Sequence, residues 1–276
     1  MMRKQTVILL TACISPGGMA FTALQDAGER ERQYIDAINF YIDNTHYPIV
    51  FCNNSGEDIS SKITNPEGRV EFLSYYGNDY DKRLGKGYGE FQIIEYAFRN
   101  SQFLSNAHTV IKITGRLKVF GLAAQIRLAS ICYWLDTPFI LVADIAQKEL
   151  FARSECIIAS KSFYEKYFLV NNKINDSQHY YFEHLLFDVA AASPYALKIF
   201  CLPLQIEGIS GSTGTKYTQS KKSDIEQLQY LRNNLLQIAT NESNEWYQNG
   251  WYRFCAGAVR IWKAILLRII IFLRHS

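Results

Sequence analysis

Two basic residues interrupt the apolar run from Val110 to Leu117, within the stretch His108 to Val119, HTVIKITGRLKV. Lys112 and Arg116 stand among isoleucine, valine and leucine, on either side of Thr114. A buried cation without an anionic partner is costly, so the run predicts that an anion meets these charges, and phosphate is the natural candidate. Lys112, Thr114 and Arg116 also alternate at period two, which leaves open a strand that turns its charges to solvent.

Polar side chains lie near the ends of three earlier predicted strands, the first of which is a continuous apolar run typical of a buried parallel strand. The predicted strands cover residues 6–14, 48–52 and 69–75. Because the carboxyl ends of parallel strands meet at one edge of an open α/β sheet, the polar residues near these ends should form a nucleotide-binding edge. The candidates for contacts to a base, ribose or phosphate are Thr11, Ser15, Asn53, Asn54 and Asp79.

A glycine-rich turn, Gly85-Lys86-Gly87, opens a predicted helix soon after the third predicted strand. Backbone N–H groups at a helix N-terminus favour phosphate, and Lys86 would add a positive charge. The spacing matches neither a Walker loop nor a G-x-G-x-x-G after the first strand. ATPase and NAD chemistry are therefore disfavoured.

Asp79-Tyr80-Asp81 is a literal D-x-D sequence and offers an alternative, a divalent metal site. If no metal binds there, we expect Asp79 to contact the nucleoside and Asp81 to lie in a loop or cap a helix.

The elements that must position these residues follow from composition and pattern. The chain has 276 residues, 48% of them hydrophobic, which is enough for one large core with an appendage. A net charge of +3 is too small to indicate a nucleic-acid partner, and the six cysteines lack any C-x-x-C pair, which disfavours a disulfide framework or zinc site. Strands that alternate with helices predict an α/β fold with a mostly parallel central sheet flanked by helices.

The C-terminal part has a different character, so we expect a domain over residues 1–220 and a helical region over 221–276. Residues 246–276 contain no acidic residue, and a helix there would separate a basic face from an apolar one. That pattern is typical of a helix lying on an anionic membrane surface, although an amphipathic helix docked on the domain is an alternative. No stretch of 18 uncharged apolar residues occurs, so no membrane span is expected.

Three motifs together carry a resemblance to a known family. N-N-S-G at 53–56, G-K-G-Y-G-E at 85–90 and K-I-T-G-R at 112–116 resemble bacterial glycosyltransferases that build lipopolysaccharide O-antigen or capsule. The resemblance covers roughly residues 5–220 and implies a GT-A-like domain that binds a nucleotide-sugar. Such enzymes usually carry a D-x-D where this chain has K-x-T-G-R. Fixed cations can neutralise a leaving diphosphate as a metal does, so metal-independent transfer with no required cofactor is implied.

Glycosyl transfer with inversion needs a carboxylate that takes the proton of the acceptor hydroxyl. Glu183 and Asp188 are the main candidates, with Asp144 and Glu207 as others. Glu183 is preferred because a helical turn would place it near Tyr180 and Phe187, and an aromatic setting can raise a carboxyl pKa. The alternative is a glutamate on the helix surface beside His184.

A glycine- and hydroxyl-rich segment over 207–216 reads as an irregular loop, and it could close over the diphosphate with Ser210, Ser212, Thr213 and Lys216 as contacts. A disordered surface loop is the alternative interpretation.

The expected activity is therefore transfer of a sugar from a nucleotide-diphosphate donor to a lipid-linked glycan, at the cytoplasmic face of the inner membrane. The expected partners are the nucleotide-sugar, the lipid-linked acceptor and an anionic membrane surface, with no nucleic acid. The alternative function is a non-catalytic, membrane-associated assembly protein that keeps the sheet as a scaffold.

Overall fold

The computed structural model describes residues 5–17, 22–133, 141–146, 150–192, 197–200, 203–211 and 214–217. The expected C-terminal helical region, 221–276, lies outside the described residues. The chain divides into two compact units, Met1–Phe200 with Leu204–Ser220, and Cys201–Pro203 with Lys221–Ser276. All elements named below belong to the first unit. Within the described residues, no helix has the length and apolar character needed to cross a membrane.

Helices and strands are interspersed through the first half of the chain. In order they are β1 (Gln5–Ala12), α1 (Ala27–Asn44), β2 (Ile49–Asn53), β3 (Val70–Ser74), α2 (Lys86–Asn100), α3 (Gln102–Ser105), β4 (Ala107–Thr114), β5 (Lys118–Phe120) and α4 (Leu122–Tyr133). The second half contains β6 (Leu141–Ala143), β7 (Ile145–Ala146), β8 (Phe151–Ala152), β9 (Cys156–Ser160), α5 (Lys161–Phe163), α6 (Phe182–Ala191), β10 (Leu197–Ile199), β11 (Gln205–Ile209) and β12 (Lys216–Tyr217).

Seven strands form the central sheet in the order β10-β6-β9-β4-β1-β2-β3. Strands β4, β1, β2 and β3 are parallel to their neighbours, as are β6 and β10, whereas β9 runs antiparallel to both β4 and β6. The predicted α/β fold with a mostly parallel sheet is therefore confirmed. Val7, Ile8, Leu9 and Leu10 of β1 are fully buried, which is why this central strand reads as a continuous apolar run.

One predicted loop is partly a strand. The segment 207–216 was expected to be irregular because of its glycines, but Gln205–Ile209 forms β11, which pairs antiparallel with β5 and with β12 in a separate sheet. The register with β5 places Glu207 opposite Lys118, and their side chains form an ion pair at 3.4 Å. The pairing partner, which lies far away in sequence, outweighs the local preference for a loop.

A buried tyrosine fixes the chain where it leaves β4. The Tyr41 hydroxyl of α1 donates a hydrogen bond to the Leu117 carbonyl at 2.8 Å and accepts one from the Val119 N–H at 2.9 Å. Tyr41 has no solvent exposure, and its burial raises the pKa of the hydroxyl well above its usual value. The side chain thus anchors the turn that presents Arg116.

We expect Tyr41→Phe to lower the free energy of unfolding by about 1–3 kcal/mol, because it leaves a buried N–H and a buried C=O without their partner. Urea unfolding followed by circular dichroism measures the change. Tyr76→Phe is the matched control, since Tyr76 is 88% exposed and should lose nothing. Equal stability of the Tyr41 variant and the wild type would contradict the anchoring role.

Candidate functional site

A cleft of about 200 Å³ opens at the carboxyl ends of β1, β2 and β4. Cys13 and Pro16 line it after β1, Asn54 after β2, and Thr114 and Arg116 at the end of β4. The backbones of β1 and of the turn after β4 approach closely here. The Gly115 N–H donates to the Thr11 carbonyl at 2.9 Å, and a Cβ on Gly115 would lie 2.7 Å from that oxygen. The predicted convergence is therefore present for the ends of β1 and β2, joined by β4, whereas Asp79 after the third strand does not line the cleft. The cleft lies where open α/β sheets bind ligands.

Two buried guanidinium groups line this cleft. Arg30 of α1 is 6% exposed and donates from Nε to the Cys13 carbonyl at 2.8 Å, while Arg116 is 5% exposed and donates from Nη1 to Gln33 Oε1 at 2.8 Å. Arg116 Nε is buried and has no hydrogen-bond partner. Among the described residues, neither arginine has a carboxylate within ion-pair distance.

Burial lowers the pKa of the Arg116 guanidinium, and the nearby positive charge of Arg30 acts in the same direction. Arginine keeps its proton at neutral pH even so. Two cations that repel each other, one of them with an unused buried donor, form a site for an anion with several oxygens, such as a diphosphate.

Arg30 was not foreseen from the sequence, because the run Glu29-Arg30-Glu31-Arg32 resembles a solvated helix face. A signal was present in the helical spacing. Arg30 shares one face with Tyr34, Ala37 and Tyr41, which are buried.

Lys112 requires a correction. Its side chain has no solvent exposure and does not line the cleft. The ammonium group forms an ion pair with Glu90 of α2 and donates to the Ser154 carbonyl at 2.6 Å and to Thr114 Oγ1 at 3.3 Å. These contacts use all three ammonium donors, so the anion that meets Lys112 is a carboxylate of this chain rather than a phosphate. The alternative of a solvent-facing strand is also wrong, since both Lys112 and Arg116 are buried.

The N-terminus of α2 also faces a carboxylate of the chain. The backbone N–H of Lys86 donates to Asp176, and a Cβ on Gly85 would lie 1.9 Å from Asp176 Oδ2. Burial raises the pKa of Asp176, while the charge of Lys86 and the hydrogen bond from its backbone act in the opposite direction. The position predicted for a phosphate at Gly85-Lys86-Gly87 is therefore taken by Asp176. The Lys86 side chain itself is exposed and lines the cleft.

The predicted nucleoside contacts separate into two groups. Thr11 and Asn54 line the cleft, and Asn54 is 1% exposed with a buried Oδ1 that has no partner. Ser15 and Asn53 instead hold the loop after β2, since Ser15 Oγ donates to Glu57 and Asn53 Nδ2 donates to the Glu57 carbonyl at 2.9 Å. Asn54 is therefore the residue of this set with free hydrogen-bonding capacity toward a ligand.

The two carboxylates of the D-x-D sequence lie outside the cleft. Asp81 caps a short 3-10 helix through the Arg83 N–H at 3.0 Å and forms an ion pair with the Arg83 guanidinium at 2.7 Å. Asp79 is exposed and does not line the cleft, although Tyr80 does. No cluster of three or more metal-ligating His, Cys, Asp or Glu side chains occurs in the part of the chain that the structure describes.

Glu183, the candidate catalytic base, lines the cleft. Ser154 Oγ donates to Glu183 Oε1 at 2.6 Å. Burial raises the pKa of the Glu183 carboxyl, and the negative charge of Glu90 raises it further, whereas the Ser154 hydrogen bond lowers it. A carboxylate with a raised pKa is a stronger base than a carboxylate with the usual pKa.

The other predicted carboxylates lie elsewhere. Asp188 is exposed on α6 and accepts from the Tyr180 hydroxyl at 2.7 Å, and Asp144 pairs with Arg153 at 3.6 Å. Neither they nor Glu207 line the cleft, and the same holds for the predicted diphosphate ligand Lys216, which is exposed on β12.

Sequence reasoning missed Glu155, which lines the cleft and accepts a hydrogen bond from the Tyr217 hydroxyl at 3.1 Å. Burial, and then the negative charge of Glu155, raise the pKa of the Tyr217 hydroxyl to about 12. The short connection that carries Glu155, between two brief strands, gives no local signal of a site.

Comparisons with known proteins give distant structural neighbours only. No family model and no curated protein matches the sequence. A 4-diphosphocytidyl-2C-methyl-D-erythritol synthase is 10% identical with a TM-score of 0.43, covering 83% of this chain and 99% of its own. A cytidylyltransferase from Leptospira borgpetersenii is 13% identical with a TM-score of 0.41, and the match covers 88% of this chain and 100% of that protein. Core-mannan synthase A from Aspergillus fumigatus is 9% identical with a TM-score of 0.41, and the match covers 80% of each chain. At this level of similarity we take no activity from these neighbours.

We expect inorganic pyrophosphate to raise the melting temperature of the wild type, and Arg116→Gln or Arg30→Gln to weaken its binding about tenfold or more. The reason is that a hydrogen bond to a charged group contributes about 1.5–3 kcal/mol. Titration calorimetry measures the affinity. Arg99→Gln is the control, because Arg99 is an exposed helix residue paired with Glu95. Unchanged affinity for pyrophosphate in both variants would contradict the assignment of this cleft as an anion-binding site.

Proposed function

We propose that this chain is a GT-A-like glycosyltransferase that moves a sugar from a nucleotide-diphosphate sugar to an acceptor hydroxyl. The observation that carries the proposal is the pair of buried arginines, Arg30 and Arg116, that lack a carboxylate partner within the described residues and line the cleft. A sugar nucleotide needs its diphosphate neutralised as it leaves, and fixed guanidinium groups supply that charge without a metal.

The proposed reaction is a direct displacement. The acceptor oxygen forms a bond to the anomeric carbon, the bond from that carbon to the diphosphate oxygen breaks, and the nucleoside diphosphate leaves with the bonding electron pair. The acceptor proton passes to Glu183, the cleft carboxylate whose pKa burial raises. Arg30 and Arg116 hold the diphosphate, while Asn54 offers its carboxamide to the nucleoside.

For the acceptor, we propose a lipid-linked glycan of surface polysaccharide synthesis, O-antigen or capsule. The support is the motif resemblance and the basic, acid-free sequence of residues 246–276, which suits a peripheral location on an anionic membrane.

We expect at least one nucleoside diphosphate among UDP, GDP and CDP to raise the melting temperature, and EDTA to leave that rise unchanged because arginines replace the metal. A thermal-shift panel with CTP and CMP added provides the measurement. A rise that EDTA abolishes would overturn metal independence. The absence of any rise would favour the non-catalytic assembly protein, and a rise with CTP alone would favour nucleotidyl transfer.

Glu183→Gln provides the catalytic arm of this test. It should retain the nucleotide-induced rise and lose sugar transfer to the acceptor, because the amide accepts no proton at neutral pH. Asp188→Asn is the matched control on the same helix, since Asp188 lies outside the cleft and should leave transfer unchanged.

We expect deletion of residues 246–276 to move the protein from the membrane fraction to the soluble fraction, because the deletion removes the basic face that binds anionic lipid. Sedimentation with phosphatidylglycerol vesicles measures the effect, and vesicles of phosphatidylcholine alone are the control. Equal sedimentation of the full and shortened chains would refute the membrane role of this segment.

A further inference from the structure

We propose that Lys112 is a positioning residue that holds the Glu183 carboxylate in the cleft through Ser154. The inference rests on the proposed function, in which Glu183 is the base, and it gives Lys112 a role that is distinct from ligand binding.

Lys112 contacts the segment that precedes β9. Lys112 Nζ donates to the Ser154 carbonyl at 2.6 Å, and the Thr114 N–H donates to the Glu155 carbonyl at 3.0 Å. Strand β4 therefore holds two consecutive carbonyls. The Lys112 side chain holds that of Ser154, and the Thr114 backbone holds that of Glu155. Both fixed residues line the cleft.

The segment that precedes β9 in turn contacts Glu183. Ser154 is 8% exposed, and its hydroxyl donates to Glu183 Oε1 at 2.6 Å. The same serine thus accepts from Lys112 through its carbonyl and donates to Glu183 through its side chain. A shift of the Ser154 backbone would move the hydroxyl away from the carboxylate.

The charge around Glu183 also involves Lys112. Glu90 and Lys86, both on α2, are the charged side chains that act on it from a facing element, and the Glu90 charge disfavours ionised Glu183. Because Lys112 forms an ion pair with Glu90, Lys112 also offsets that repulsion. A test must therefore separate two effects of Lys112 on Glu183, the hydrogen bond that holds the Ser154 carbonyl and the charge that offsets Glu90.

The experiment is a double-mutant cycle on the pKa of Glu183, measured by ¹³C NMR of the glutamate side-chain carboxyls. The Glu183 resonance is assigned by its loss in Glu183→Gln. Ser154→Ala is made in the wild type and in Glu90→Gln/Lys112→Met, which removes both charges of the ion pair together. We expect Ser154→Ala to raise the pKa in the wild type and to have little effect in the second background, where the hydroxyl is no longer held.

An equal effect of Ser154→Ala in both backgrounds, or no effect in the wild type, would overturn the proposal. Ser154→Thr keeps a hydroxyl and should restore the wild-type titration, and Ser130→Ala, on α4, should change nothing. If the double variant does not fold, Lys112→Arg replaces it, since the planar guanidinium presents its donors in a different geometry from the compact ammonium.

The titration needs no substrate, so its outcome is independent of the proposed activity. Where transfer is measured, the acid limb of the kcat profile should move to higher pH in Ser154→Ala while KM for the donor stays the same. A non-additive cycle in a protein without transfer would keep the positioning role and reject the function.

Discussion

The buried ion pair between Lys112 and Glu90 is the interaction on which the rest of the site depends. An ammonium group without solvent exposure in a central strand is tolerated only when its charge and its donors are all satisfied. Glu90 supplies the charge, and Thr114 and the Ser154 carbonyl complete the hydrogen bonds. The pair therefore joins α2 and β4 to the segment that faces α6, and removing Glu90 would leave the charge of Lys112 uncompensated in the interior.

Satisfied and unsatisfied charges mark different roles in this cleft. Lys112 and the turn Gly85-Lys86-Gly87 both resemble phosphate-binding groups in the sequence, yet the Lys112 ammonium meets Glu90 and the backbone N–H of Lys86 meets Asp176. Arg30 and Arg116 are equally buried and have no carboxylate within ion-pair distance among the described residues, so they retain capacity for an anion from outside. Lys112, Arg30 and Arg116 are all buried, so a structural cation and a binding cation differ here in the partner that each one meets.

The shape of the site follows from the sheet order. Strands β4, β1 and β2 are adjacent and parallel, so the residues after them meet at one edge, and the antiparallel β9 brings the segment before it to the same edge of β4. Ser154 and Glu155 reach the cleft by this reversal of direction. A sheet that was parallel throughout would have placed the start of that strand at the opposite edge.

The sequence alone determined the fold class, the approximate positions of the first three strands, and the candidacy of Arg116 for an anion and of Glu183 for a base. It also offered Thr11 and Asn54, but only among five polar residues near the strand ends. These predictions need only the hydrophobic and helical periodicity of the chain and the known direction of parallel strands. Only the tertiary structure decided that Lys112 is paired, that Asp176 occupies the helix N-terminus, and that Arg30 and Glu155 belong to the cleft. The physical reason is that the state of a charge depends on the group opposite it in space, and here each such group comes from another element of the chain.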